Sequence, residues 1–116
     1  MKMITAIIRP EKFEAVQQAL NECDVYLMTV TNVSGCGRQR GFTEVFRGQE
    51  YEVQLRSKVK IEVAVSHNFV EPAIEAIVHG ARNEQGQIGD GKIFVHSLDD
   101  CVRIRTGERG SEAIGP

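Results

Sequence analysis

The residues best suited to chemistry form a glycine-rich stretch at positions 85–95, which reads Gln-Gly-Gln-Ile-Gly-Asp-Gly-Lys-Ile-Phe-Val. Glycine lets a backbone approach a ligand closely, and successive N–H groups in such a loop form a nest for phosphate oxygens. Lys92 adds a point charge where the loop ends. A Walker loop needs serine or threonine after its lysine, whereas Ile93 follows here. The stretch alone leaves two interpretations open, a phosphate-binding loop and a glycine-rich turn without a ligand.

A second candidate is a pair of arginines, Arg103 and Arg105, in a short alternating segment. On an extended backbone, residues two apart point to the same side, so the two guanidinium groups could hold one phosphate. The alternative is a solvated strand face. Together with the glycine loop, the pair favours phosphate binding.

Composition limits the class of protein. The 116 residues suit one domain, and a net charge of −2 argues against a nucleic-acid-binding surface. Three widely spaced cysteines without a CxxC pair favour a reducing, cytoplasmic setting and argue against a zinc site. No apolar run approaches the length of a membrane span, and no signal-peptide pattern is present at the N-terminus.

Hydrophobic periodicity predicts the elements that must position these residues. Apolar alternation predicts strands over 3–8, 28–33, 59–65 and 92–96. Helical spacing predicts one helix that begins near Pro10 and carries the stripe Phe13, Val16, Leu20 and Cys23, and a second whose stripe is Val70, Ile74, Ile77, Val78 and Ala81. Asn68 with Glu71 resembles a helix-start pair. Between these elements we predict a long exposed loop at about 36–57, the glycine loop at about 82–91 and a polar tail at about 106–116.

The resulting order is strand, helix, strand, strand, helix, strand, which is typical of a ferredoxin-like α+β sandwich. Both helices would cover one face of a four-stranded antiparallel sheet. The other face mixes apolar Ile7 and Ala64 with charged Lys60 and Glu62, so self-association across it is expected.

The chain resembles the nitrogen-regulatory PII signal-transduction proteins nearly end to end. The matching fragments, in order and at the family's spacing, are 6–10 (Ala-Ile-Ile-Arg-Pro), 28–31 (Met-Thr-Val-Thr), 35–39 (Gly-Cys-Gly-Arg-Gln), 47–51 (Arg-Gly-Gln-Glu-Tyr), 58–62 (Lys-Val-Lys-Ile-Glu), 88–94 (Ile-Gly-Asp-Gly-Lys-Ile-Phe) and 103–108 (Arg-Ile-Arg-Thr-Gly-Glu). The resemblance implies a homotrimer of one domain over residues 1–116. It also implies ATP or ADP in clefts between subunits, with 2-oxoglutarate beside the ATP.

The family's site residues fall on matching positions of this chain. The nucleotide contacts implied by the resemblance are Gly37, Arg38, Gln39, Glu62, Ala64, Gly89, Asp90, Gly91 and Lys92, with Thr29, Arg103 and Arg105 from the neighbouring subunit. For 2-oxoglutarate the implied residues are Gln39, Gly41 and Lys58, and Gln39 would also ligate Mg²⁺. Arg9 is expected near this pocket.

The long loop is where the family contacts its partners, which include an ammonium transporter and nitrogen-metabolism enzymes. The resemblance therefore makes Arg47 a partner-binding residue and Tyr51 a candidate for uridylylation. Contact with a membrane would come only through a transporter.

Two departures from the family pattern concern the glycine loop. Gln87 stands where the family commonly has a phosphate-facing lysine, and the loop is about two residues longer around Asn83 and Glu84. The resemblance implies a signalling protein that binds ATP or ADP and 2-oxoglutarate and regulates partner proteins. Two alternatives stay open, a small nucleotide-binding enzyme with weak ATPase activity and a divergent regulator that does not sense 2-oxoglutarate. A ferredoxin-like nucleic-acid binder is disfavoured, because stacking aromatics and a basic face are not evident.

Overall fold

The structure, a computed structural model, describes residues 1–36 and 55–115. Its strands are β1 (Lys2–Ile8), β2 (Thr29–Gly35), β3 (Arg56–Val65) and β4 (Gly91–Ser97), and its helices are α1 (Phe13–Glu22), α2 (Val70–Ala81) and α3 (Ser111–Ile114). No helix in these ranges is long and apolar enough to cross a membrane.

The four strands form one antiparallel sheet in the order β2-β3-β1-β4. Central β1 pairs Ile4 with Val63 on one side and with Val95 on the other. The strand order and the two helices confirm the predicted ferredoxin-like α+β fold.

The core lies between the sheet and the pair α1 and α2. Alternate residues of β1 and β3 face the helices and are buried, as period-two patterning requires. Burial of this apolar area is the main source of the fold's stability. The core members are Ile4, Ala6, Ile8, Val16, Leu20, Val25, Val59, Ile61, Val63, Val65, Ala73, Ile77 and Ala81.

The two strands that flank the long loop extend further than periodicity predicted. β2 continues to Gly35, which pairs with Arg56 at the beginning of β3. Residues 56 and 57, assigned to the loop from the sequence, therefore belong to the sheet. Backbone pairing between β2 and β3 continues through these positions, although Ser34, Arg56 and Ser57 are exposed and show no apolar alternation.

Helix starts also differ from the sequence-based expectation. Pro10–Lys12 forms a 3₁₀ turn before α1, and His67–Phe69 forms another before α2. Asn68 lies inside the second turn, and no side-chain hydrogen bond caps either 3₁₀ turn or α2, so the proposed Asn68–Glu71 start pair is wrong. Pro72 lies in the first turn of α2, where its missing N–H costs little.

The C-terminal region, predicted to be a polar tail, contains α3. Ile114 of this helix is buried, and Val102 forms an isolated bridge with Arg109. Because α3 has only four residues, helical periodicity could not reveal it from the sequence.

Candidate functional site

The glycine loop between α2 and β4 consists of tight turns. The N–H of Gly86 donates to the carbonyl of Asn83 at 2.8 Å, and the N–H of Asp90 donates to the carbonyl of Gln87 at 3.1 Å. Gly89 and Gly91 have φ of 99° and 113°, which glycine adopts without strain. The stretch is therefore a shaped loop, and Asp90 closes its second turn.

Gly91 also permits a close approach between the loop's end and β1. A Cβ at Gly91 would lie 1.9 Å from the carbonyl oxygen of Ile7. Since Gly91 pairs with Ile8 across the ladder, this contact fixes where β4 begins. Lys92, the next residue, is consequently held at the junction of loop and sheet.

The carboxylate of Asp90 lies inside the loop and accepts three hydrogen bonds. Its Oδ2 accepts from the backbone N–H of Gln87 at 2.8 Å and of Asn83 at 3.2 Å, and its Oδ1 accepts from Nδ2 of Asn83 at 2.9 Å. These bonds, led by that from Gln87, lower the pKa of Asp90 from 3.8 to about 2. Asp90 is therefore ionised at neutral pH.

Two cationic side chains hold the other side of the loop. Nη2 of Arg9 donates to the carbonyl of Ile88 at 2.8 Å, and its Nε lies 3.5 Å from Oδ1 of Asp90. Nζ of Lys58 donates to the carbonyl of Gly89 at 3.2 Å. Arg9 and Lys58 thus bind two consecutive carbonyl groups of the loop.

The amide groups of the same segment are oriented by these contacts. In a trans peptide the N–H points away from the preceding carbonyl, so the Gly89 N–H faces away from Arg9. Within the described parts of the chain, the N–H groups of Ile88 and Gly89 have no hydrogen-bond acceptor. Two consecutive available N–H groups suit an anionic ligand.

Several of the predicted site residues share the sheet face that the helices leave open. Thr29 pairs with Glu62, and Ala64 pairs with Met3, all on this face. Lys92 lies opposite Ile7 on the same face. Lys60 and Glu62 form an ion pair at 3.8 Å with both side chains about one-third exposed, so it contributes little stability.

Arg103 and Arg105 are arranged differently from the expectation. Residues 104–106 form a turn, so the two arginines do not lie on one extended segment. Nη1 of Arg103 forms an ion pair with Glu108 at 2.8 Å, and its Nη2 donates to the carbonyl of Glu112 at 2.9 Å. Arg103 thus holds α3 within its own chain, while Arg105 is exposed.

A hollow of about 380 Å³ lies on the helix side of the loop, between α2 and β4. Ile74, Ile77 and Ile93 contribute apolar walls, and residues 90–92 line the end near the loop.

Part of the predicted site lies outside the described residues, namely Gly37, Arg38, Gln39, Gly41, Arg47 and Tyr51. Among the residues that are described, no group of three His, Cys, Asp or Glu side chains could hold a metal ion. The implied Mg²⁺ ligand, Gln39, is one of those outside.

Sequence reasoning missed Asn83 as a partner of the Asp90 carboxylate and left the contacts of Arg9 undefined. An Asn seven residues before an Asp inside a loop is a weak signal that only turn chemistry could have suggested. The contact of Arg9 spans 79 positions and has no local signal.

Comparison with known proteins decides the family. The family model described as nitrogen regulatory protein P-II matches residues 1–108. The chain belongs to the P-II family. It is 53% identical over 114 residues to the nitrogen regulatory protein P-II of Rhizobium etli, covering 98% of this chain and 100% of that protein. It is 49% identical over 114 residues to nitrogen regulatory protein GlnK1 of Methanosarcina mazei, covering 98% of this chain and 97% of that protein.

A solved P-II structure has the same fold. It is the crystal structure of Arabidopsis thaliana PII bound to citrate, with a TM-score of 0.76 and 37% identity over 97% of this chain and 88% of that one. The P-II relatives are named as nitrogen regulatory proteins, so this chain is a regulatory protein and not an enzyme. The alternative of a small ATPase is thereby set aside.

Proposed function

We propose that this P-II protein binds ATP or ADP and 2-oxoglutarate, and regulates a partner through the segment 36–57. The observation that carries the proposal is the glycine loop, in which Ile88 and Gly89 have available N–H groups among the described residues. Arg9 and Lys58 bind the carbonyls of the same two residues, and Lys92 follows where the loop ends. Backbone donors and nearby ammonium or guanidinium groups are what polyphosphates and carboxylates require.

The assembly that we propose is a homotrimer in the cytoplasm, with nucleotide in clefts between subunits. The open sheet face supports this, because it carries half-buried or exposed apolar groups at Met3, Ile7 and Phe94. In such a trimer, Thr29, Arg103 and Arg105 would come from the neighbouring subunit. Arg105 is exposed for this role, whereas Arg103 would have to exchange or share its contact with Glu108.

Calorimetric titration tests the nucleotide site. Lys92→Ala and Arg103→Ala should each weaken ATP binding by about 1.5–3 kcal/mol, as expected for loss of a charge-assisted bond. Lys2→Ala is the matched control, because Lys2 carries the same charge at the opposite end of the β1–β4 ladder. Unchanged affinity in both site variants would contradict the assignment.

For 2-oxoglutarate, the structure supplies Lys58 and Arg9 as candidate partners of its carboxylates. The Arabidopsis protein was solved with citrate, itself a polycarboxylate, which supports an acid ligand in this family. We expect binding only with ATP and Mg²⁺, and expect Gln39→Ala to abolish it while leaving ADP binding intact. Equal 2-oxoglutarate affinity with ADP, or without metal, would contradict this coupling. Nucleotide binding that never supports 2-oxoglutarate would identify the divergent regulator instead.

The partner that we propose is an ammonium transporter or a nitrogen-assimilation enzyme, with Arg47 in the contact and Tyr51 as a candidate for uridylylation. A ligand shifts the segment 36–57 only if its contacts differ between the segment's states. Hydrogen exchange of this segment should therefore differ between ADP and ATP plus 2-oxoglutarate. Arg47→Ala should weaken partner binding without changing nucleotide affinity, and equal exchange in every ligand state would exclude the segment as the switch.

A further inference from the structure

The shape of the glycine loop depends on polar contacts. Ile88, its one large apolar residue, is 97% exposed, so apolar packing does not hold the loop in place. Gln87 and Asn83 instead direct their backbone N–H groups at a single carboxylate oxygen of Asp90. A loop without buried apolar groups depends on such hydrogen bonds to keep one conformation.

Asp90 also connects the loop to the rest of the domain. Its Oδ1 lies 3.5 Å from Nε of Arg9, whose Nη2 binds the carbonyl of Ile88. Arg9 follows β1 directly, so the carboxylate joins the loop to the end of a central strand of the sheet. The orientation of the available N–H groups of Ile88 and Gly89 follows from this arrangement.

We infer that Asp90 is the positioning residue of the nucleotide loop, and that it acts by fixing the 83–90 turns before any ligand binds. The inference rests on the proposed nucleotide binding. Preorganised donors bind an anion more tightly, because the ligand need not bear the entropy cost of ordering them. Asp90 itself is a poor phosphate ligand, since its carboxylate carries the same sign of charge.

If Asp90 positions the loop, its removal changes ADP affinity in the direction opposite to the one that electrostatics alone predicts. Removing a negative charge beside a polyphosphate should strengthen binding by Coulomb's law. Removing the group that shapes the loop should weaken binding. Asp90→Ala is therefore expected to raise the Kd for ADP by about tenfold or more, because three hydrogen bonds of the loop are lost.

Matched variants distinguish the effect of the loop's conformation on ADP binding from the effect of the negative charge. Glu84→Ala removes the same charge from the same loop, and within the described residues its side chain makes no hydrogen bond or ion pair, so ADP affinity should be unchanged or slightly higher. Asp90→Asn keeps one carbonyl oxygen for the N–H groups of Gln87 and Asn83 and should recover part of the lost affinity.

Hydrogen exchange of the ligand-free protein gives a second readout. In Asp90→Ala the Gln87 amide should exchange at least about tenfold faster, while amides in β1 and β3 keep their rates. Equal acceleration in the sheet would assign Asp90 to global stability and overturn the inference.

The outcomes of the ADP titration are distinguishable. Wild-type protein that binds no ADP would overturn the proposed function and this inference with it. Wild-type protein that binds ADP, together with an Asp90→Ala variant that binds it equally or more tightly, would overturn only the role of Asp90.

Discussion

At the scale of single residues, two aspartates of the described chain have a lowered pKa. The bonds from Gln87 and Asn83 lower the pKa of Asp90 to about 2, and the side chain of Arg109 lowers the pKa of Asp100. A carboxylate whose folded pKa lies below its unfolded value stabilises the fold above the unfolded pKa. That stability is lost as the pH falls through the folded value.

We expect the wild-type protein to keep this stabilisation above about pH 4 and to lose it progressively towards pH 2. The stability of the Asp90→Asn variant should fall less over this pH range, because asparagine does not titrate at this position. Thermal unfolding measured from pH 5 to pH 2 checks this. The same pH dependence in both proteins would show that Asp90 has the same pKa in the folded and unfolded states.

Gly91 and Gly86 give a comparison at equal φ. Both have φ of 113°, but a Cβ at Gly91 would meet the carbonyl of Ile7 whereas one at Gly86 would meet nothing within 4 Å. Gly86→Ala should cost about 1–2 kcal/mol of unfolding free energy from strain alone. Gly91→Ala should cost more than about 3 kcal/mol, because the backbone of β1 must also move. Chemical denaturation measures the difference, and equal losses would mean that the loop's end relaxes freely.

At the scale of elements, α1 and α2 contact each other through a glycine. A Cβ at Gly80 would lie 2.8 Å from Cα of Val16 and 3.0 Å from the backbone carbon of Ala15. Gly80 is buried, and helix propensity alone would favour alanine there by about 1 kcal/mol. The close approach of the two helix backbones therefore outweighs propensity in the choice of this residue.

We expect Gly80→Ala to destabilise the protein by about 1–3 kcal/mol, as overpacking of a rigid contact does. His79→Ala, one position earlier and exposed, is the control and should change stability little. The midpoints of urea denaturation test the pair. A stabilised Gly80→Ala protein would show that α1 and α2 separate easily.

At the scale of the whole molecule, apolar groups remain exposed on the isolated chain. Phe94 is 48% exposed on the open sheet face, and Ile104 is fully exposed near the C-terminal end. In the homotrimer that we propose, the open sheet face with Phe94 would be covered by another subunit.

Light scattering of the wild-type protein should therefore give three subunits. Phe94→Glu should shift the mass towards the monomer, since a carboxylate would be buried without a partner in the assembly. Glu75→Lys, on the exposed side of α2, changes a charge outside the sheet and should leave the trimer intact. A wild-type monomer would contradict the shared-cleft arrangement.

The sequence determined the elements whose signals are local. The alternation in β1 and β3, the stripe around Val16 and Leu20, and the glycines before Lys92 each depend on neighbours a few positions away. These signals sufficed for the ferredoxin-like order and for the position of the glycine loop.

Tertiary structure decided what depends on distant neighbours. The contacts of Arg9 with Ile88 and of Lys58 with Gly89 join positions 79 and 31 residues apart. The turn at 104–106 accompanies contacts of Arg103 with Glu108 and Glu112, which lie only five and nine positions away but have no periodic signal. Periodicity reports only which face of an element is apolar, so it could place these side chains on their elements but could not show which carbonyl or carboxylate each one contacts.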